Sequence, residues 1–154
     1  LVEVDAAHAA CLRPGGLGLL HFIGHVGHYD TERCIRKHVF PGGWIPSLAD
    51  TLVEMERCGL EVIDIENLRR HYALTLDAWA ERSERRWPDI QALDPHRFDE
   101  RFRRIWRSYL VGCAEMFRSP AGYTHLFQIV FSKGNVTASN YPMGRAHLYA
   151  SGGA

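Results

Sequence analysis

The run Leu17-Gly18-Leu19-Leu20-His21-Phe22-Ile23 constrains this chain more than any other segment. It is apolar almost throughout, follows the breaker Arg13-Pro14-Gly15-Gly16 and ends at Gly24. A short apolar run between turn signals suits a strand buried on both faces of a sheet. Such a strand needs hydrogen-bonded neighbours and a covering layer, and the rest of the sequence has to supply them.

Two further strands are expected. Leu60-Glu61-Val62-Ile63-Asp64-Ile65-Glu66 alternates apolar and polar, and residues 123–133 are rich in β-branched and aromatic side chains. The segments between them read as helices. Residues 2–12 are Ala-rich and are stopped by Pro14 and the glycine pair. Ser47 is a candidate N-cap for a helix through Leu48, Leu52, Val53 and Met55 to Arg57, with Gly59 as its terminating glycine. A helical turn is expected over 34–38 within an otherwise loop-like stretch, 24–46. Two long helices follow, at about 69–86 and 95–117, with Pro88 between them. The second has an apolar face of Phe98, Phe102, Ile105, Trp106, Tyr109 and Leu110. Its other face carries Arg97, Arg101, Arg103, Arg104 and Arg107 against Asp99 and Glu100. That charged face reads as solvated and ion-paired, with contact to anionic lipid headgroups as the sharper alternative. Residues 134–154 read as an irregular tail ending in Ser-Gly-Gly-Ala.

Alternating elements argue for an α/β fold. Three strands make a poor independent sheet, because the run at Leu17 lacks a neighbour on one side. A non-catalytic module that completes its sheet with a partner is therefore one reading of the chain.

Composition removes several classes. The 154 residues carry 18 basic and 18 acidic side chains, so there is no general basic field for nucleic acid. No run approaches the roughly 18 apolar residues of a membrane span. Cys11, Cys34, Cys58 and Cys113 form no CxxC pair and read as free thiols of a reducing, cytoplasmic setting. His21, His25 and His28 are interrupted by Gly24 and Gly27 and lack the i, i+4 helical spacing of a zinc pair. No metal site is expected.

Several ordered motifs resemble one family. The turn at Leu12-Arg13-Pro14-Gly15-Gly16 and the strand after it resemble the approach to the fifth strand of class I S-adenosylmethionine-dependent methyltransferases. Leu19-Leu20-His21-Phe22-Ile23-Gly24 resembles a strand-and-loop motif of the cyclopropane-fatty-acyl-phospholipid synthase family. Val39-Phe40-Pro41-Gly42-Gly43-Trp44-Ile45-Pro46-Ser47 is similar to that family's following loop. Asn67-Leu68-Arg69-Arg70-His71-Tyr72-Ala73-Leu74-Thr75-Leu76-Asp77-Ala78-Trp79 is similar to its most recognisable stretch. Arg104-Ile105-Trp106, Tyr109-Leu110, Cys113-Ala114, Phe117-Arg118 and Phe127-Gln128-Ile129-Val130-Phe131 continue in register.

The resemblance implies that residues 1–133 are the C-terminal part of a Rossmann-like methyltransferase domain. It implies three strands, the last antiparallel between the other two, with a helical insert at about 69–118. It implies transfer of a methylene or methyl group from S-adenosylmethionine to the double bond of an unsaturated phospholipid acyl chain. It implies a bound bicarbonate as base, held by His21, Tyr72 and the backbone of Ile23, and an acyl pocket lined by Trp79, Phe102, Trp106 and Tyr109. Peripheral contact at the inner membrane face follows from such a substrate. No cofactor-binding residue is expected in this chain. Gly15-Gly16-Leu17-Gly18 is not the family's cofactor loop and precedes the wrong strand, and Gly24-His25-Val26-Gly27 has Gly where the family's motif has Glu. The expectation is a chain inactive without the rest of a larger enzyme. A related methyltransferase acting on another small molecule is a third reading.

Overall fold

The computed structural model describes residues 2–149. In chain order the elements are α1 (Val2–Cys11), β1 (Leu17–His25), α2 (Arg33–His38), α3 (Leu48–Arg57), β2 (Leu60–Asn67), α4 (Arg69–Arg85), α5 (Trp87–Leu93), α6 (Glu100–Arg118), β3 (Thr124–Lys133) and α7 (Ala146–Tyr149). The three strands form a sheet in the order β1-β3-β2. Lys133 N–H donates to Gly16 O at 3.1 Å and Gly134 N–H to Gly59 O at 2.9 Å, so the end of β3 lies beside the starts of both neighbours. β3 is thus antiparallel to β1 and to β2, and is the central strand.

The chain divides into two compact units, and each strand contributes to both. The first unit draws on 2–20, 51–65 and 129–149. Ile129 and Phe131 are fully buried in it. Gly18 is required there, since a Cβ at that position would come within 2.4 Å of the Phe131 ring. Gly59 ends α3 with φ +72°, a left-handed conformation that glycine adopts without strain. Arg145 Nε pairs with Asp64 at 2.8 Å, and Val136 N–H donates to Glu61 Oε2 at 2.5 Å, which ties the tail to β2. The tail is therefore ordered over part of its length and includes α7; its end, 150–154, lies outside the described residues.

The second unit comprises 21–50 and 66–128. α4 and α6 pack together over one face of the sheet, and Ala73, Leu76, Leu110, Cys113, Ala114, Phe117 and Leu126 form its core. Asp99 Oδ1 accepts from Phe102 N–H at 2.7 Å and starts α6. At the other end of α6, the Arg69 guanidinium donates to the carbonyls of Phe117 at 2.6 Å and Ser119 at 2.7 Å, satisfying groups the helix leaves open. Arg103 pairs with Glu84 at 2.7 Å, and Arg118 pairs with Asp77 and Glu115. Of the arginines expected on the charged face of α6, Arg103 is ion-paired, with Glu84 and Glu100, whereas Arg97, Arg101, Arg104 and Arg107 make no ion pair among the described residues. Ser47 caps the start of α3 by accepting from Asp50 N–H at 3.2 Å.

Three differences from the sequence reading have physical causes. β1 is not buried on both faces: Leu17 is 46% exposed and Leu19 56%, because β1 is an edge strand here. Pro88 does not simply separate two long helices; it sits in the first turn of the short helix α5, where its missing N–H costs nothing. β1 also extends through Gly24 to His25, which the glycine had suggested was loop.

Leu110 is fully buried in the second unit's core. Leu110→Ala is expected to lower the unfolding free energy by about 2–5 kcal/mol, read as the shift in urea midpoint, and a loss under about 1 kcal/mol would contradict the packing described.

Candidate functional site

The second unit forms a half-open cavity of about 310 Å³, lined almost wholly by apolar atoms. Its floor comes from the sheet, through Ile23 of β1 and Thr124 of β3, and its wall from Tyr72 of α4 and from Tyr109, Cys113 and Met116 of α6. The segment 31–45 closes it with Ile35, Phe40, Gly43 and Trp44. The sheet explains how Ile23 arrives there. Successive side chains alternate between faces, so His21, Ile23 and His25 share the β1 face that α4 and α6 cover. Helical spacing explains the wall: Tyr109, Cys113 and Met116 recur at intervals of four and three.

Tyr72 stands edge-on to Phe117 at 4.9 Å and to Trp79 at 6.0 Å. Burial pushes its phenol above the ordinary range, and that of Tyr109 up to about 12. Both hydroxyls therefore stay protonated and act as donors at neutral pH. Neither makes a hydrogen bond among the described residues. Burial pushes the Cys113 thiol up to about 11, which keeps it neutral and unreactive in the wall.

The sequence-predicted residues distribute as follows. Ile23, Tyr72 and Tyr109 meet at the cavity. His21 is exposed, one step along the same β1 face from Ile23, and its Nδ1 lies 3.0 Å from Gln128 Nε2. Its Nε2 has no partner among the described residues. Trp79 and Trp106 lie instead on a second, more open groove of about 460 Å³, with Arg82, Arg86, Ile90 and Leu93. Phe102 lines neither space; it stacks on Trp106 and Trp87. The aromatic series is continuous, however, since Trp106 touches Tyr109 at 5.4 Å and Tyr109 meets Phe40 at 5.9 Å. Sequence reasoning missed Thr124, Ile35 and Met116 as lining residues. The Phe40-to-Ser47 motif was the available signal for the closing segment.

His25 is 2% exposed, against the loop reading. Its Nδ1 lies 3.2 Å from Tyr123 O and its ring contacts Tyr29 and Tyr123. His28 lies 3.5 Å from Asp50. Among the described residues no group of three or more His, Cys, Asp or Glu side chains is placed to hold a metal.

Tyr72 lines the cavity while His21 stands exposed on the neighbouring part of β1, and no carboxylate lines the cavity. S-adenosylmethionine finds no glycine cradle among the described residues. Gly15, with φ +72°, makes the turn whose N–H donates to Lys133 O at 2.8 Å, and Gly18 is filled by the Phe131 ring.

Comparison with known proteins identifies the family. Residues 5–129 match the family model described as mycolic acid cyclopropane synthetase. The chain is 40% identical over 128 residues to a probable fatty acid methyltransferase of Pseudomonas putida, covering 79% of this chain and 31% of that protein. It is 36% identical over 124 residues to the cyclopropane-fatty-acyl-phospholipid synthase of Escherichia coli, covering 80% and 31%. Among solved structures, the mycolic acid cyclopropane synthase CmaA1 complexed with SAH and CTAB superposes with a TM-score of 0.72 at 27% identity, covering 86% of this chain and 49% of that one. The chain thus spans about a third of the length of these curated relatives. It belongs to the mycolic acid cyclopropane synthetase family.

Proposed function

We propose that residues 1–133 are the acyl-binding, C-terminal part of a lipid-modifying methyltransferase domain. The protein containing them transfers a methylene or methyl group from S-adenosylmethionine to the double bond of an unsaturated phospholipid acyl chain. The observation that carries this reading is the apolar cavity bounded by Ile23, Tyr72 and Tyr109. Alkylating an alkene builds positive charge on carbon, so the chemistry needs a water-excluded site with a base beside it. The cavity supplies the exclusion. Tyr72 Oη–H, His21 Nε2–H and the backbone N–H of Ile23 would be the donors to a bicarbonate. Such an anion would supply the base for the proton lost from the transferred carbon. Tyr109 and Phe40 hold the acyl chain against the sheet, and the groove of Trp79 and Trp106 continues its path, with Phe102 backing Trp106. The relatives that support this reading include a probable fatty acid methyltransferase and a cyclopropane-fatty-acyl-phospholipid synthase.

Such a substrate brings the protein to a membrane surface, at the cytoplasmic face, by peripheral contact. No helix among the described residues is long and apolar enough to cross one, and the unpaired Arg101 and Arg104 of α6 suit anionic headgroups. The open edge of β1 supports a sheet completed by further strands. Because no cofactor cradle lies among the described residues, the chain by itself is expected to show no turnover.

The test is incubation of the intact protein with S-adenosylmethionine and an unsaturated phospholipid, read by lipid mass. A gain of one CH₂ is expected, and an unchanged lipid would contradict the reading. A co-purifying second chain that must be present for the gain would instead favour a partner-completed module. Within the active protein, Tyr72→Phe removes one donor and no internal hydrogen bond. Turnover should fall roughly a hundredfold with the unfolding midpoint unchanged; retention of wild-type turnover would remove Tyr72 from the anion site.

A further inference from the structure

We infer that Gln128 is a positioning residue that fixes the tautomer of His21, so that the ring presents an N–H from Nε2 and never a lone pair. The inference deepens the reading above and rests on it for its catalytic meaning. It stands on geometry for its physical content.

β1 and β3 run antiparallel, and Phe22 faces Phe127 across them at 5.8 Å between ring centroids. The neighbouring pair, His21 and Gln128, projects from the other face. There Gln128 Nε2 lies 3.0 Å from His21 Nδ1. A primary amide nitrogen carries two hydrogens and no available lone pair, so it only donates. The imidazole Nδ1 must then accept, and the single ring proton of neutral histidine resides on Nε2. An imidazolium has no lone pair at Nδ1 and loses this bond. Gln128 therefore selects one of three ring states, and it is the state that donates to an anion.

The same β3 face places this pair beside the cavity. Thr124, Leu126 and Gln128 recur at the strand's two-residue period; Thr124 lines the cavity and Leu126 lies in the core beneath α4 and α6. The carbonyl Oε1 of Gln128 and the ring Nε2 of His21 make no hydrogen bond among the described residues. Register brings the two side chains together, and the amide nitrogen is the end that meets the ring.

The experiment is a long-range proton–nitrogen correlation on the intact protein labelled with ¹⁵N-histidine, with the His21 signals assigned from a His21→Gln spectrum. The expected result is a proton on Nε2. In Gln128→Glu an ionised carboxylate can only accept, so the proton should move to Nδ1. Observation of Nδ1–H in the wild type, or no change in Gln128→Glu, overturns the proposal. Neither readout needs turnover, so an intact protein that transfers nothing defeats the functional reading and leaves the tautomer result standing. In a protein that does turn over, Gln128→Leu should lower kcat about tenfold while KM for the lipid stays within about twofold. Wild-type kcat in that variant would also overturn the positioning role.

Discussion

The packing of α4 and α6 against Leu126 of the central strand is the interaction on which the rest of the helical unit depends. Leu126 is 6% exposed and joins the sheet to Ala73 and Leu76 on one helix and Leu110, Ala114 and Phe117 on the other. Both helices gain from burying their apolar stripes on the same strand, since most helical stability in a protein comes from packing such a face rather than from propensity. Arg69 locks the arrangement by donating to the last carbonyls of α6 from the first turn of α4. The helices are thus held close at that end. The cavity lies on the same face, where Tyr72, Tyr109 and Cys113 meet the sheet side chains Ile23 and Thr124.

An apolar space of this kind has a direct electrostatic consequence. The groups that line it, Tyr72, Tyr109 and Cys113, are all pushed toward their protonated forms by burial. The wall carries donors and no charge. That combination suits a reaction whose transition state is cationic and whose base is a separately bound anion, because no ionised side chain of the wall competes for either. His21 complements it from the exposed end of the same strand face, where solvent reaches the ring.

Much of this was legible in the sequence, and the reasons differ by residue. The strand at Leu17 and the helices α4 and α6 declared themselves by hydrophobic period, and Ser47 and Gly59 by their cap chemistry. The motif around Tyr72 pointed to the cavity because a residue one helical turn before Leu76 shares the core-facing stripe. What the sequence concealed was tertiary. Trp79 lies seven residues from Tyr72, two helical turns along, and so opens onto a different groove. Phe102 looks like a pocket residue by type, yet it is spent on stacking between two tryptophans. The burial of β1 could not be read from its apolar run, because edge or central position is a property of strand order. The Gln128–His21 pair was equally hidden, since it exists only once β3 is set in register beside β1.

The central claim is that the cavity of Ile23, Tyr72 and Tyr109 receives the double-bond region of an acyl chain. It is tested most directly by photo-crosslinking the intact protein with a phospholipid carrying a diazirine at that position, followed by peptide mapping. The account predicts labelling of Ile35, Tyr109 or Met116 in the cavity wall. Labelling confined to residues outside that cavity would contradict it.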